Sequence, residues 1–256
     1  MTVYFVGAGP GAPDLITVRG AEIVARCALV IFAGSLVPRA IVARARPDAR
    51  VLDSAGMTLD EIVVAMQEAH ARGDDVARVH TGDPLLFGST AEQMRRLDAL
   101  GIPYDVVPGV SSFTAAAAAL RQELTVPGVS QAVIVARAAG RTPVPDGQDL
   151  ASLAAHRATL ALFLSAQLLE DAVAALVPAY GPDCPAAIVQ RASWPDEKIV
   201  RGRVADLAAL ARANGIDATA MVLVGPALAP GDFPDSRLYA PEFGHAFRGA
   251  RKEDDA

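Results

Sequence analysis

Three glycine-containing turns carry the residues of this chain that are best suited to hold a ligand. They read Val6-Gly-Ala-Gly-Pro-Gly-Ala12, Thr81-Gly-Asp-Pro-Leu-Leu-Phe-Gly88 and Pro108-Gly-Val-Ser-Ser112, and each follows a short apolar run. Glycine lets the backbone approach a phosphate or a carboxylate closely, and α/β proteins bind ligands at the carboxyl ends of parallel strands. Because the three turns follow three strands of one predicted sheet, we expect them to form a single binding edge.

The first turn satisfies the dinucleotide fingerprint G-x-G-x-x-G/A through Gly7, Gly9 and Ala12. A nicotinamide site also needs an acidic residue at the end of the second strand, but that segment reads Phe32-Ala-Gly-Ser35. Pro10 inside the fingerprint removes one amide donor. The turn therefore argues against a dinucleotide, while a ligand-binding turn and a plain strand-to-helix turn both stay open.

The second and third turns contain the polar side chains that lie nearest to this expected edge. Asp83 supplies a carboxylate, although an Asp-Pro pair is also common in ordinary turns. The apolar trio Leu85-Leu-Phe87 lies in a loop, where polar residues are expected, and indicates a pocket or an interface. Ser111 and Ser112 open a predicted helix, so they are candidates for an N-cap, for a ligand contact or for both.

The composition limits the classes of protein to which the chain can belong. It has 256 residues and a net charge of −6, which makes it a poor candidate for coating nucleic acid. The apolar run Val106–Leu120 is too short for a membrane span, which takes ~20 residues. The N-terminus lacks the features of a signal peptide, so we expect a cytoplasmic protein. Cys27 and Cys184 are expected to be buried free thiols, and no cysteine or histidine cluster predicts a metal site.

The order of the elements predicts an α/β protein with two α/β domains. Strand and helix signals alternate in the first half, which is typical of a parallel sheet covered on both faces. In the second half two strand signals, Ala186–Arg191 and Lys198–Arg201, have no helix between them, which indicates a mixed sheet. We predict an N-terminal domain over residues 1–122, a C-terminal domain over residues 123–230 and a partly disordered extension over residues 231–256.

Two segments of the form S/T-x-x-E predict the starts of helices. Thr58-Leu-Asp-Glu61 precedes an apolar stripe that includes Met66, and Gly73 is the expected end of that helix. Ser89-Thr-Ala-Glu92 is predicted to cap a second helix that ends near Gly101.

A fourth segment joins the three turns in a pattern that resembles a known family. It reads Gln190-Arg-Ala-Ser-Trp-Pro-Asp-Glu197 and contains the only tryptophan of the chain. In order and spacing the four segments resemble those of the tetrapyrrole (corrin/porphyrin) methylases, and the resemblance covers about residues 1–228. The segment Phe32-Ala-Gly-Ser-Leu-Val37 and the tryptophan segment are similar to the branch that methylates precorrin-4 at C11 in cobalamin biosynthesis.

The resemblance implies a homodimer in which S-adenosylmethionine lies in the cleft between two α/β domains and is held mostly by backbone. It implies transfer of the sulfonium methyl group to C11 of precorrin-4, which gives precorrin-5 and S-adenosylhomocysteine. The first turn, with Gly9 and Gly11, is then expected to face the substrate. The cofactor contacts that the resemblance implies are Pro10, Thr81, Gly82, Asp83, Leu86, Ser111, Ser112, Leu164, Ala192, Thr219 and Ala220.

The expected catalytic residues are Asp83 and Ser35. Asp83 would orient the cofactor or offset the positive charge that develops on the macrocycle, and Ser35 would lie in the substrate trough. Uroporphyrinogen methylases of this superfamily carry an aspartate after the second strand and a lysine after the third, a pair that is absent here or shifted to Asp53. Because the substrate carries many carboxylates, arginines are expected to bind it. The candidates are Arg39, Arg121, Arg137 and Arg191.

Other functions stay open at this point. Within the superfamily, the substrate is alternatively cobalt-precorrin-4, another ring position, ribosomal RNA or an intermediate of the diphthamide pathway, and the net charge of −6 disfavours RNA. From other classes, an NAD-dependent oxidoreductase is disfavoured by the missing acidic residue near position 33, and a non-catalytic tetrapyrrole-binding protein is the third alternative. We expect a small tetrapyrrole as the partner, and neither nucleic acid nor a membrane.

Overall fold

The computed structural model describes residues 1–229, 231–240 and 242–249, and the chain divides into two compact units. Unit 1 comprises Met1–Leu120 and Val189–Lys198, and unit 2 comprises Arg121–Ile188 and the described residues from Ile199 onward. The tryptophan segment therefore belongs to the same unit as the three glycine turns. The predicted C-terminal extension falls partly, at residues 241 and 250–256, outside the described residues.

Unit 1 is built around a parallel sheet. Its strands are β1 (Val3–Gly7), β2 (Leu29–Phe32), β3 (Arg50–Asp53), β4 (Val76–His80) and β5 (Tyr104–Val107). Its helices are α1 (Val18–Arg26), α2 (Arg39–Val42), α3 (Leu59–Arg72), α4 (Ala91–Ala99) and α5 (Ser112–Leu120). In the described part of the chain the strand order is β3-β2-β4-β1-β5, and each neighbouring pair is parallel. All five strands therefore end at one edge, as the alternating sequence pattern predicted.

Alternate side chains of these strands form two cores, one on each face of the sheet. On one face Val6 packs in a cluster with Ile23 of α1, and on the other Phe5 packs in a cluster with Met66 of α3. Both clusters are made of fully buried aliphatic and aromatic residues, so the sheet is covered on both sides. The packed cores cover the two faces of the sheet, so the surface at the edge where the strands end is formed by the loops of unit 1.

The helix α3 begins at the first predicted capping box. The Thr58 hydroxyl accepts a hydrogen bond from the Glu61 amide at 3.3 Å, and the Glu61 carboxylate accepts one from the Thr58 amide at 2.7 Å. Gly73, with φ at +79°, ends the helix in the left-handed conformation that glycine tolerates best.

The second predicted capping box is wrong. The Thr90 hydroxyl donates to the carbonyl oxygen of Pro84 at 3.0 Å, and Ser89 adopts a left-handed φ of +49°. The helix α4 therefore starts at Ala91 with no side-chain cap. The hydroxyl and the backbone at this position serve the loop that precedes the helix instead.

Unit 2 contains a mixed sheet. Its strands are β6 (Val133–Arg137), β7 (Thr159–Phe163), β8 (Pro185–Gln190), β9 (Lys198–Arg203) and β10 (Ala220–Val224), where the last two residues of β8 and the first residue of β9 are counted in unit 1. Its helices are α6 (Leu150–Ala154), α7 (Leu169–Tyr180) and α8 (Leu207–Ala213). Among the described residues the strand order is β6-β7-β10-β8-β9. β6 is parallel to β7, whereas β10 is antiparallel to it, so the predicted mixed sheet is confirmed.

The sequence pattern missed two elements and shortened a third. It contained no signal for the exposed strand β3 or for the five-residue helix α6. The apolar spacing predicted a helix that ends at Val177, but α7 continues through Pro178 to Tyr180. Pro178 lies in the last turn, where the helix has little length left to disrupt.

Three properties of the described residues bear on function. None of their helices is long and apolar enough to cross a bilayer. Among them, no group of three or more His, Cys, Asp and Glu side chains is arranged to hold a metal ion. Cys27 is buried, and burial raises the pKa of its thiol to about 12, whereas Cys184 is only half-buried. The prediction of two buried thiols is thus correct for Cys27 alone.

Candidate functional site

The three glycine turns meet at the edge where the strands of unit 1 end. Because β4, β1 and β5 are neighbours, the turns that follow them lie side by side. The Gly9 amide donates to the Gly82 carbonyl at 3.3 Å, and the Gly82 amide donates back to the Gly9 carbonyl at 2.8 Å. This confirms the prediction of one common edge, which we call the glycine edge and define by Gly7, Gly9, Gly82 and Gly109.

The glycine edge leaves no room for side chains between its turns. A Cβ atom on Gly7 would lie 2.6 Å from the Cα atom of Gly109, and one on Gly109 would lie 2.1 Å from the carbonyl oxygen of Gly82. Both distances are far below van der Waals contact. Glycine is therefore required here by the close approach of three backbones, and a ligand that reaches this edge meets main-chain atoms.

The Asp83 side chain connects the second turn to the third by hydrogen bonds. Its Oδ1 atom accepts a hydrogen bond from the Leu85 amide at 2.8 Å, and its Oδ2 atom accepts one from the Gly109 amide at 3.0 Å. Each carboxylate oxygen thus satisfies one backbone donor. The arrangement makes Asp83 a residue that fixes the geometry of the glycine edge.

The loop after Asp83 presents its apolar trio to solvent. The side chains of Leu85, Leu86 and Phe87 are 58%, 36% and 43% exposed. Phe87 adopts a left-handed φ of +55°, and a Cβ atom on Gly88 would lie 2.2 Å from the Pro84 carbonyl oxygen. Such a conformation is costly for a bulky residue and recurs at binding sites. The loop is held tightly while it exposes an apolar surface beside the glycine edge.

The tryptophan segment packs against the first turn. The Trp194 indole donates to the carbonyl oxygen of Pro10 at 2.9 Å, and the Ser193 hydroxyl accepts from the Ala12 amide at 3.0 Å. A Cβ atom on Gly11 would lie 2.2 Å from the Cδ1 atom of Trp194. The tryptophan ring therefore packs directly against Gly11. The hydrogen bond between Ala12 and Ser193 joins residues that are 181 positions apart along the chain.

The guanidinium of Arg191 is held in place by its own segment. It lies 4.7 Å from the centroid of the Trp194 ring and forms an ion pair with Asp196. Ala192, which follows it, is buried. Stacking on an aromatic face restricts a guanidinium while its outer edge stays available to an anion.

The loop after β2 has no acidic residue of its own, but a carboxylate from the neighbouring strand binds it. Asp53, at the end of β3, accepts hydrogen bonds through Oδ1 from the amides of Gly34 and Ala55, each at 2.9 Å. A Cβ atom on Gly34 would lie 2.0 Å from this carboxylate. Ser35, the next residue, is exposed. Asp53 is thus brought to the end of β2 from the neighbouring strand.

Three candidate residues of unit 2 share one end of two strands. The antiparallel register pairs Val222 with Leu162, so that Ala220 and Leu164 lie at the same end of β10 and β7. Leu164 and Thr219 both adopt left-handed conformations, with φ at +54° and +52°, and Leu164 is 69% exposed. The structure thus brings Leu164, Thr219 and Ala220 together within unit 2.

Residues 2–208 match the pattern of the Tetrapyrrole (Corrin/Porphyrin) Methylases, a span that includes all four segments described above. The chain belongs to this family. This tetrapyrrole methylase therefore combines a family-wide pattern with the glycine edge and the tryptophan contact found in unit 1.

Individual relatives of this tetrapyrrole methylase are similar over almost their whole length. The precorrin-4 C(11)-methyltransferase of Pseudomonas aeruginosa is 49% identical over 97% of this chain and 99% of its own. The solved structure of CbiF, a cobalt precorrin-4 methyltransferase of cobalamin biosynthesis, is 47% identical, has a TM-score of 0.87 and covers 90% of this chain and 96% of its own.

A third relative was solved with a ligand. It is the uroporphyrin-III C-methyltransferase of Thermus thermophilus in complex with S-adenosylhomocysteine, 27% identical to this tetrapyrrole methylase. Its TM-score is 0.74, and the match covers 89% of this chain and 99% of that one.

The remaining arginine candidates differ in their surroundings. Arg137 donates to the carbonyl oxygens of Ala138, Thr142 and Pro143, so its guanidinium is already engaged within unit 2. Arg39 and Arg121 are exposed, and among the described residues neither guanidinium has a hydrogen-bond or ion-pair partner. Of these three arginines, only Arg137 is thus held by hydrogen bonds within the described part of its own unit.

The strand β4 of this tetrapyrrole methylase contains two buried polar residues, of which His80 was expected to be structural and Arg78 was not foreseen. Arg78 and His80 are each only 5% exposed and lie on the face of the sheet that carries the Phe5 cluster. The signal was visible, because the strand reads Val-Ala-Arg-Val-His where a fully buried strand of a parallel sheet is expected to be apolar.

Proposed function

We propose that this tetrapyrrole methylase transfers the methyl group of S-adenosylmethionine to C11 of precorrin-4 and so forms precorrin-5 in cobalamin biosynthesis. The observation that carries the proposal is the glycine edge, which Asp83 locks and the Trp194 segment adjoins. It occurs in a chain about half identical, over nearly its full length, to a precorrin-4 C(11)-methyltransferase.

The residues of unit 1 fit S-adenosylmethionine. At Gly82 a Cβ atom would make ordinary van der Waals contacts of 3.7 to 3.9 Å with the backbone of residues 110–112, so this side of the turn is lined by main chain. Main-chain groups suit a ligand that carries hydroxyl, amino and carboxylate groups. Leu86, exposed in the neighbouring loop, offers apolar surface to an adenine ring.

The full set of proposed cofactor contacts is carried by both units. In unit 1 it comprises Pro10, Thr81, Gly82, Asp83, Leu86, Ser111, Ser112 and Ala192, and in unit 2 Leu164, Thr219 and Ala220. Ser111 is buried, and its carbonyl accepts the Ala115 amide at 3.1 Å at the start of α5. The left-handed conformations of Leu164 and Thr219 support a binding role, because strain of this kind is retained where function needs it.

The chain contributes to the reaction chiefly by alignment. S-adenosylmethionine, when bound, supplies a methyl group on a sulfonium, which an electron-rich carbon can accept in line. Asp83 holds the second and third turns at a fixed spacing, and its negative charge favours the positive charge that develops on the macrocycle. Holding two reactants in register lowers the barrier without a strong base.

Substrate carboxylates call for cations, because the chain as a whole has a net charge of −6. Arg191 is the best placed of the four candidates, since it is stacked on Trp194 beside the first turn. Gly9, Gly11 and Ser35 line the loops that we assign to the substrate. Arg39, Arg121 and Arg137 are retained as contacts to be tested by charge reversal, each of which should raise the KM for the tetrapyrrole.

We further propose that the enzyme works as a homodimer in the cytoplasm. The resemblance to the family supports the dimer, and a small-molecule biosynthetic reaction supports the compartment. Sedimentation equilibrium of the purified protein tests the first point, because a dimer should have twice the mass of the 256-residue chain.

The experiment that tests the proposed function measures the mass of the product. Purified protein is incubated with S-adenosylmethionine and, in separate reactions, with precorrin-4 and cobalt-precorrin-4. We expect the gain of one methyl group by precorrin-4. A gain by the cobalt compound alone would assign the substrate of the CbiF relative to this chain, and no gain with either would contradict the proposal.

A further inference from the structure

Arg78 is a buried cation without an anionic partner. It lies in β4, is 5% exposed, and faces the side of the sheet covered by α3 and α4. Its Nε atom donates to the Gln93 side-chain oxygen at 3.0 Å, and its Nη1 atom donates to the Ser54 hydroxyl at 3.0 Å and to the Ile31 carbonyl at 3.4 Å. All three acceptors are neutral.

No carboxylate of the described residues lies within ion-pair distance of this guanidinium. Nine ion pairs between other side chains occur on the surface of the described part of the chain. Asp53, next to Ser54 in sequence, is exposed and binds the amides of Gly34 and Ala55 instead. Burial lowers the pKa of Arg78 only to about 10, so the side chain remains charged at neutral pH. A buried charge without a partner is strongly disfavoured in proteins.

His80 lies two residues further along the same face and does not balance the charge. It is 5% exposed, its ring packs against Phe5, and its Nε2 atom has no hydrogen-bond partner among the described residues. Burial and the charge of Arg78 lower its pKa to about 3, so it is neutral. This face of β4 thus holds a cation without an anionic partner and a neutral imidazole with one unsatisfied nitrogen among the described residues.

The hydrogen bonds of Arg78 connect it to the end of β2, whose following loop contains Ser35 and is assigned to the substrate, and through Gln93 to the cofactor loop after β4. Ile31 is near the end of β2, and Ser54, which directly follows β3, donates through its hydroxyl to the Phe32 carbonyl at 3.0 Å. The amide nitrogen of Gln93 donates to the Ser89 carbonyl at 2.8 Å, which reaches the loop after β4. Water and salt screen a buried charge much less than a surface charge. Its positive potential therefore extends to the edge of the sheet.

We propose that Arg78 is a specificity-determining residue whose uncompensated buried charge strengthens the binding of a polycarboxylate at this edge. The proposal rests on the proposed function, since it assigns to the substrate carboxylates the counter-charge that unit 1 lacks. It differs from the four arginines considered above, which are half-buried or exposed and would touch their ligand. Arg78 acts through the loops, at a distance and without contact.

The test neutralises the charge without removing the arginine. Gln93→Glu places a carboxylate against the Nε atom of Arg78, and Gln93→Met is the matched control. Both variants lose the hydrogen bond to the Ser89 carbonyl, and they differ in the charge at position 93 and in the acceptor for the Nε atom of Arg78, which only Gln93→Glu keeps. The measurements are the binding of uroporphyrin, a porphyrin with several carboxylates, by quenching of the single tryptophan, and the binding of S-adenosylhomocysteine by calorimetry.

We expect Gln93→Glu to bind uroporphyrin about tenfold more weakly than Gln93→Met, and the difference to shrink at high salt. The affinity for S-adenosylhomocysteine should be the same in both variants. Equal affinities of the two variants for uroporphyrin would overturn the proposal and leave Arg78 a structural anchor. Absence of uroporphyrin binding by the wild-type protein would overturn it as well.

Failure of the role of Arg78 and failure of the proposed function give different results. If the wild-type protein binds uroporphyrin with the expected dependence on position 93 but does not methylate precorrin-4, the proposed function fails and the role of Arg78 stands. If it methylates precorrin-4 with a KM that is the same in both variants, the proposed function stands and the role of Arg78 fails.

Discussion

Asp83 and Asp53 show how differently two carboxylates can serve neighbouring loops. Asp83 uses both oxygens, one for the Leu85 amide and one for the Gly109 amide, whereas Asp53 uses Oδ1 for both of its amides. An asparagine has one acceptor oxygen, so it can replace Asp53 without loss of these bonds but cannot replace Asp83.

We therefore expect Asp83→Asn to leave one backbone amide unsatisfied, at a cost of about 1–3 kcal/mol. Because ~1.4 kcal/mol corresponds to a factor of ten, methyl transfer should slow roughly 10- to 100-fold if the turns lose their spacing. Thermal unfolding and single-turnover rates measure the two effects. Asp53→Asn, the matched control, should keep the melting temperature of the wild type. Full activity of Asp83→Asn would show that Asp83 does not align the reactants.

His80 makes a separate prediction about the stability of unit 1. Its pKa is about 3 in the folded protein and has its ordinary value near 6.5 in the unfolded chain. Between these values the unfolded state binds more protons, so the free energy of unfolding falls as the pH falls below ~6.5. The contribution of His80 should be a loss of about 2 kcal/mol from pH 7 to pH 5.

Denaturant unfolding at the two pH values measures this loss. His80→Met, which cannot titrate, should lose about 2 kcal/mol less than the wild type over the same interval. His156→Gln, at an exposed position, should behave like the wild type. An identical pH dependence in His80→Met would mean that the imidazole is accessible to protons in the folded state.

At the scale of elements, the sequence predicted the common edge of the glycine turns more reliably than the starts of the helices. The alternation of strands and turns placed the glycine turns of β1, β4 and β5 at one edge, because parallel strands all end on the same side. The two capping boxes had equal sequence signals, yet only Thr58 caps a helix. Ser89, the predicted cap of the second box, adopts a left-handed φ, and the Thr90 hydroxyl beside it binds the Pro84 carbonyl, an arrangement that the local pattern does not contain.

The contact between the first turn and the tryptophan segment also depends on the tertiary fold. Gly11→Ala would bring a Cβ atom to 2.2 Å from the indole of Trp194, so the ring must move and its hydrogen bond to Pro10 must lengthen. We expect the emission of Trp194, the only tryptophan, to shift to longer wavelengths and methyl transfer to decrease.

The matched control for this prediction is Gly56→Ala, because a Cβ atom on Gly56 meets no atom within 4 Å. Its emission spectrum and activity should be those of the wild type, with a change in stability of no more than about 1 kcal/mol. If Gly11→Ala has the emission spectrum and the activity of the wild type, the tryptophan segment does not shape the first turn.

At the scale of the whole molecule, the sequence was sufficient for the fold class and for the family. The turns and the tryptophan segment are local patterns with fixed spacing, and all of them lie within residues 2–208, the span that matches the family pattern. The burial of Arg78 and the hydrogen bond from the Gly34 amide to Asp53 were not foreseen, because each depends on which strands are neighbours. The sequence gives the order of residues within each strand, but it does not show which strands lie side by side in the sheet.

The composition of unit 1 likewise depends on the tertiary fold and not on the order of the chain. Val189–Lys198 lies late in the chain but belongs to unit 1, so the first glycine turn is completed only after most of the chain has been made. Patterns read along the sequence predicted the segment as part of the second domain. Its partners, Pro10 and Ala12, became visible only in the folded unit.

The measurement that tests the central claim most directly is the position of the transferred methyl group. The protein is incubated with precorrin-4 and S-adenosylmethionine labelled with ¹³C in its methyl group, and the product is examined by NMR. The account predicts a single labelled methyl group, attached to C11. A label at another ring carbon would assign the chain to a different reaction within the family, and an unlabelled product would contradict methyl transfer to this substrate altogether.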